Sequence, residues 1–364
     1  MNIKNIKTIV SVVAALVLGA AIGLLATKTW NPNWNPFAQT SSQIIESAIA
    51  KSFQAKSYKV EQDIKLKITP ESGQAGDFSL FILGSVDQTD LKNAKTDSDL
   101  VFKMSSEGVE MQAKGKVKTF GEDTYFQISS LPSLPFLPAE LLAGIKNQWI
   151  KIDKKKLAEM FPSPETSFEF NGQAFAEEIK LLLKGKEIFK IEKKFGTEEV
   201  DGVKTLHYSA GLEKETVKTL IPEILRILQK YQPKGQQSEA EFEKTLKTFS
   251  EKFDAFWQKI SPLEMNFWIE KGNFWLRKIK IEKEINVADF DPESKTKGKI
   301  TLDLEMKISD FNKDVKIEMP QNYKGIEEIL SSIMGAMLPG ATDSFTADSF
   351  SEENLPAFPD FNKE

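Results

Sequence analysis

A chain of 364 residues, 40% apolar and 28% charged, has material for one large domain or two ordinary ones. Its 48 basic and 53 acidic side chains nearly cancel at −5, and only Arg226 and Arg277 are arginines, so the forked donors that read phosphate are scarce and nucleic-acid binding is not expected. There is no cysteine, which removes disulfides, thiolate metal sites, a thiol nucleophile and a Cys-linked lipid anchor together and leaves stability to an apolar core fed by 26 Phe and 6 Trp.

Thr8 to Thr27 (TIVSVVAALVLGAAIGLLAT) runs 20 residues without a charge, about 30 Å as a helix and enough to cross a bilayer core. Lys4 and Lys7 precede it and only Lys28 follows before Glu46, which places the N-terminus in the cytoplasm and the rest outside. The competing reading is a cleaved signal peptide, whose apolar core is usually about 7–15 residues and ends at a small-residue site not evident here. Both readings put residues 40 onward outside the cytoplasm. The next segment, TWNPNWNPFAQT, offers Trp30 and Trp34 to the headgroup layer, with prolines that stop the helix; the alternative is an ordinary polar linker.

Ser41 or Ser42 caps a predicted helix over about 42–55, with Ile44, Ile45, Ala48, Ile49 and Phe53 on one face. The period then changes to two. Tyr58, Val60, Gln62, Ile64, Leu66 and Ile68 alternate with Lys59, Glu61, Asp63, Lys65 and Lys67, as in a strand with one buried and one solvated face. Strands follow at Phe78–Val86, Leu100–Met104, Gly108–Thr119 and Asp123–Ser129, a meander interrupted by the proline-rich LPSLPFLPAE from Leu131. A strand at Gln148–Asp153, short helices near 154–161 and 173–184, and strands near 186–195 and 203–209 come next.

Two amphipathic helices are predicted in the middle. Glu213–Tyr231 carries Pro222, which is expected to kink or restart it, and Ser238–Ile260 opens with the capping box Ser238/Glu241. Strands return at Met265–Glu270, Trp275–Val287 and Lys299–Ser309; Phe311–Pro320 is expected to close the sheet and a helix at about 324–334 to end the fold. The expected class is α+β: one curved antiparallel sheet, half-barrel-like, with helices on the concave side and one transmembrane helix before it. The domain plan is 1–28 stub and anchor, 29–40 linker, 41–334 outer domain and 335–364 a disordered acidic tail.

Chemistry is sparse. His207 is the only histidine and sits in a strand (LHYSA), where a structural role is favoured over a base or ligand; no G-x-S-x-G elbow, phosphate loop or dinucleotide fingerprint is present. No enzyme activity, metal or cofactor is expected. What stands out is apolar side chains on both faces of some strands. Phe78, Leu80, Ile82, Phe102, Met111 and Phe126, with Phe249, Phe253 and Trp257 from the second helix and Trp268 and Trp275, are the candidate walls of an apolar pocket of several hundred Å³; core packing is the plainer reading of each.

The helix Ser42–Ala55 leading through Lys56-Ser57-Tyr58 into a strand, Trp149-Ile-Lys-Ile-Asp153, Asp201-Gly-Val-Lys-Thr205 before a His-Tyr strand, and Phe311-Asn312 to Pro320 together make about residues 41–330 resemble the LolA/LppX–LprG-type lipoprotein-carrier superfamily. The resemblance implies a U-shaped, half-open antiparallel barrel, helices filling or covering its concave side, and lipid or acyl-chain cargo. It also exposes a departure, since many members are attached through a cysteine and this chain has none. The expected function is a membrane-anchored, extracytoplasmic module that binds an apolar ligand, lipid above all, without catalysis. The alternative is an envelope structural or protein-interaction module with a filled core and no ligand. The expected partners are accordingly the bilayer, a lipid and a candidate envelope protein.

Overall fold

The computed structural model describes residues 41–71, 75–106, 109–121, 123–132, 144–153, 178–179, 181–183, 186–230, 238–287 and 298–329. The run Thr8–Thr27, Trp30, Trp34, most of the proline-rich stretch, the helix expected near 154–161 and the tail from 335 lie outside these residues. Among the described residues no helix is long and apolar enough to cross a membrane.

Helix α1 (Ser41–Phe53) leads into a meander of β1 (Ser57–Pro70), β2 (Gly76–Asp87), β3 (Lys95–Ser106), β4 (Val109–Phe120), β5 (Asp123–Ser130) and β6 (Trp149–Ile152). A second meander starts with β7 (Phe189–Val200) and β8 (Val203–Leu212), pauses for helices α2 (Lys214–Lys230) and α3 (Glu239–Ile260), and resumes with β9 (Met265–Glu270), β10 (Leu276–Asn286) and β11 (Gly298–Ser309). The two meanders join where β1 pairs antiparallel with β11 from Lys59↔Ser309 to Pro70↔Gly298; with the short β12 (Tyr323–Gly325) the described residues form one 12-stranded sheet that runs β12-β6-β5-β4-β3-β2-β1-β11-β10-β9-β8-β7.

The period-two pattern fixes which side faces inward. Ile64 lies opposite both Leu304 and Leu80, and Leu66 opposite Leu302 and Phe78, so the apolar positions of neighbouring strands share one face. Helix α1 lies against that face beside β7, β9 and β10. Its Ile45, Ala48 and Ile49, all at 0% exposure, join Phe267, Ile269, Leu276 and Ile279 of the sheet and Leu220 and Ile227 of α2 in one core. Polar bonds hold both ends of α1. At the start the Ser42 hydroxyl donates to the Phe189 carbonyl at 2.8 Å, and the Ile188 N–H donates to Glu46 at 3.2 Å. Burial pushes the Glu46 carboxyl above its ordinary range, against the pull of that N–H. At the far end the Leu276 N–H donates to the Ser52 hydroxyl at 2.8 Å.

Helix α2 passes through Pro222 as one element: the ring removes a single backbone bond, to the Lys218 carbonyl, and does not restart the helix. Helix α3 opens as expected, the Ser238 side chain accepting from the Glu241 N–H while Glu241 reaches back to the Ser238 N–H. The box is exposed, so Ser238→Ala is expected to cost about 1 kcal/mol in thermal unfolding. Lys214 and Lys218 of α2 clamp Asp254 of α3 at 2.7 and 2.8 Å, fastening the two helices together.

One expectation fails at the C-terminal end and another is met with a later start. Phe311–Pro320 is not a strand, because β11 already has β1 on one edge and β10 on the other. The chain leaves the sheet through Asp310 and Asn312, both at positive φ (53° and 57°). Ion pairs to Lys313 and Lys59 hold that turn, and the hydrogen bonds they make keep the Asp310 carboxyl down at about 2. Beyond it, Tyr323–Gly325 forms β12 in parallel with β6, where a helix was expected from 324; helix begins only at 326.

Candidate apolar ligand surface

The apolar face is sealed on one half and open on the other, and the boundary lies between β11 and β1. On β11, Ile300, Leu302, Leu304, Met306 and Ile308 are all buried, at 2–9% exposure. One strand over, Val60, Ile64, Leu66 and Ile68 of β1 are only half-buried. The same holds for Phe78, Leu80 and Ile82 of β2, Leu100, Phe102 and Met104 of β3, Met111, Ala113 and Val117 of β4, and Phe126 of β5. Burial resumes at β6, where Ile150 is 1% exposed. The result is an apolar trough four to five strands wide between two buried margins.

Six of the expected pocket residues are brought together here: Phe78, Leu80, Ile82, Phe102, Met111 and Phe126. Leu80 stands opposite Phe102, Ile82 opposite Leu100 and Phe126 opposite Val117; Phe78 and Met111 lie on the rung that Met104 completes. The Phe78 and Phe102 rings meet edge to face, with centroids 4.9 Å apart. Across β4 the wall thins: Ala113 faces Phe102 and Gly115 faces Leu100, and a Cβ at Gly115 would meet the Gln127 carbonyl at 2.7 Å. Leu100, Met104, Val117 and the Ala113/Gly115 step were not picked out from the sequence as site residues. They follow once register is known, because every even position of β1 and β2 carries its partners onto the same side.

Five expected residues belong elsewhere. Phe249, Phe253 and Trp257 line one stripe of α3 with successive centroids 5.5 Å apart, and Lys218 of α2 reaches over the Phe253 ring. Phe253, at 1% exposure, is core and leaves no surface for a ligand. Trp268 points to the opposite, polar face, as strand alternation requires once Phe267 is turned into the core. Trp275 stacks on Phe311 at 4.5 Å just before β10, with the Lys51 ammonium over its ring at 4.4 Å.

Around Trp268 the polar face carries a different construction. His207 is sandwiched between Phe195 and Trp268, at 4.2 and 4.1 Å between ring centroids. Its Nδ1 lies 2.8 Å from Glu198 and its Nε2 2.9 Å from Asn266. Glu198 also accepts from the Trp268 indole N–H at 2.7 Å; that bond first, then the one from His207, holds its carboxyl below the ordinary range. Every polar group of this stack points into it, and the stack ties bulged edge strand β7 to β8 and β9. His207 therefore fastens an edge. Among the described residues no three His, Cys, Asp or Glu side chains gather as a metal site.

A cavity of about 630 Å³ lies at one end of the open half. It takes in the apolar rung Leu66, Phe78, Met104 and Met111 and the polar rungs on either side, including Lys65, Lys67, Lys103, Asp77 and Glu110. The volume is in the range of small-molecule sites. The lining is mixed, part greasy and part charged.

No family model and no curated protein matches this chain. Solved structures do. LprF from Mycobacterium bovis is 10% identical with a TM-score of 0.35, the match covering 79% of this chain and 98% of that one. The lipoprotein LppX from Mycobacterium tuberculosis is 12% identical with a TM-score of 0.29, over 76% of this chain and 97% of that one. A LolA superfamily protein from Nitrosomonas europaea is 10% identical with a TM-score of 0.16, over 78% and 96%. Such values carry no ligand and no role across. Two of these structures, LppX and the LolA superfamily protein, bear the names of the group that the sequence of this chain resembles.

Proposed function

We propose that this chain is a membrane-tethered, extracytoplasmic module that binds an apolar ligand, a lipid acyl chain, along the trough of β1–β5 without chemical conversion. The observation that carries it is the change of burial from β11 to β1 on one continuous apolar face. A face needed only for packing gains most when covered throughout, at about 25 cal/mol per Å² of apolar area removed from water. Leaving a contiguous apolar strip half-open gives up that gain, and the usual return is a binding surface. The tether is Thr8–Thr27, with Trp30 and Trp34 at the headgroup layer.

Gentle detergent extraction followed by native mass spectrometry tests the reading. Wild-type chain is expected to carry lipid mass that survives washing, and Leu80→Glu and Phe102→Glu to lose it while remaining folded, because both sites are half-open and a carboxylate there keeps its water. A wild-type chain of bare mass under the same conditions sinks the proposal.

A further inference from the structure

The start of α1, the cavity and one end of the open trough lie at the same end of the strands. Helix α1 begins at that end, where Ser42 is bonded to the first residue of β7, Phe189. Antiparallel pairing brings the end of β1, the start of β2, the end of β3 and the start of β4 to the same side: Pro70 lies opposite Gly298, Gly76 opposite Ser106 and Ser106 opposite Val109. The cavity rung Leu66–Phe78–Met104–Met111 is the last but one there; beyond it come Ile68 and Val109, the latter 60% exposed. The opposite end presents Leu91, 66% exposed, in the turn between β2 and β3. Twelve residues of β2 put about 40 Å between the two ends.

We infer that the Val109 end of the sheet rests on the outer surface of the bilayer, so that the trough opens toward the lipid from which its ligand comes; this rests on the tethered, lipid-binding reading above. Chain length allows it: residues 29–40 span at most about 40 Å between Lys28 and Ser41, so the start of α1 lies no farther than that from the membrane. The chemistry of the lip agrees. Val109, Met104, Met111 and Phe78 offer apolar contact at the headgroup boundary, and Lys65, Lys67 and Lys103 have stems long enough to leave their ammonium groups among lipid phosphates. Asp77 and Glu110 on the same rungs offset most of that charge, so apolar insertion leads and the lysines orient.

The cysteine-free chain allows a direct test. Full-length Val109→Cys and Leu91→Cys variants, each labelled with an environment-sensitive fluorophore, are placed in vesicles of phosphatidylcholine and phosphatidylglycerol. The label on Val109→Cys is expected to lose about threefold of its quenching by aqueous iodide and to be quenched by brominated lipid, whereas the label on Leu91→Cys stays fully accessible to iodide. Equal access to iodide at both sites, or protection at Leu91→Cys alone, overturns the orientation. Native mass spectra of the same samples keep the two ideas apart. Bound lipid with a water-exposed Val109→Cys label sinks this inference and spares ligand binding; a bilayer-protected label on a lipid-free chain does the reverse.

Discussion

Phe267→Ala is expected to remove about 4 kcal/mol of folding stability, a loss large enough to leave much of the chain unfolded at working temperature. The ring is 1% exposed, lies opposite Tyr208 on β8 and Ile279 on β10, and packs edge to face on Phe189 with centroids 5.2 Å apart. Its surroundings come from sheet and helix at once, so the hole left by truncation cannot collapse without moving α1. Thermal unfolding of the detergent-solubilised chain measures it. Phe102→Ala is the control: that ring is only half-buried, and its truncation is expected to cost less than half as much. Equal losses at the two positions mean that the open half is as sealed as the closed one, and the trough is then not a binding surface.

The second large effect is expected at Arg277. Its guanidinium donates twice to Glu270, once from Nε at 2.7 Å and once from Nη2, with the two side chains only 17% and 11% exposed. Asn273 donates to the other Glu270 oxygen at 2.6 Å, the Lys51 ammonium bonds the Asn273 carbonyl, and the guanidinium lies over Phe311 at 5.1 Å. Arg277→Met keeps the length of the stem and removes the charge, leaving a buried carboxylate with one amide donor and the nearby Lys51 charge. A loss of about 3 kcal/mol is expected. Adding Glu270→Gln to that variant should restore part of it, because the cost lies in the stranded charge more than in the lost attraction. A double variant no better than Arg277→Met alone contradicts this account.

Much of the architecture was legible in the sequence because strands and helices announce their periods locally. Tyr58 to Ile68 gave the inward face of β1 residue by residue, and Ser238 with Glu241 located the start of α3. Register across strands is not a local property, and there the reading stopped. Phe267 and Trp268 are adjacent and both large, and nothing in that pair says which one turns inward; pairing with Tyr208 and Ile279 decides it. Phe311–Pro320 looked like a closing strand because the sequence cannot reveal that both edges of β11 are taken. Phe253 lies in the core and away from the trough for another reason: a helical stripe gives direction and not depth. Phe78, Leu80, Ile82, Phe102, Met111 and Phe126 share one half-buried face because strand alternation brings them to the same side of β2 to β5.

The seam between the two meanders also governs how the polypeptide must come together. Glu61 and Lys307 meet across it although 246 positions separate them. During synthesis β1 therefore waits with one side unpaired until nearly the whole chain has emerged, and contacts of such range are slow to form. An unpaired, greasy strand edge in that interval invites pairing with a second nascent copy. A holdase acting on the first meander, or export of the unfolded polypeptide, would shield that edge until β11 arrives.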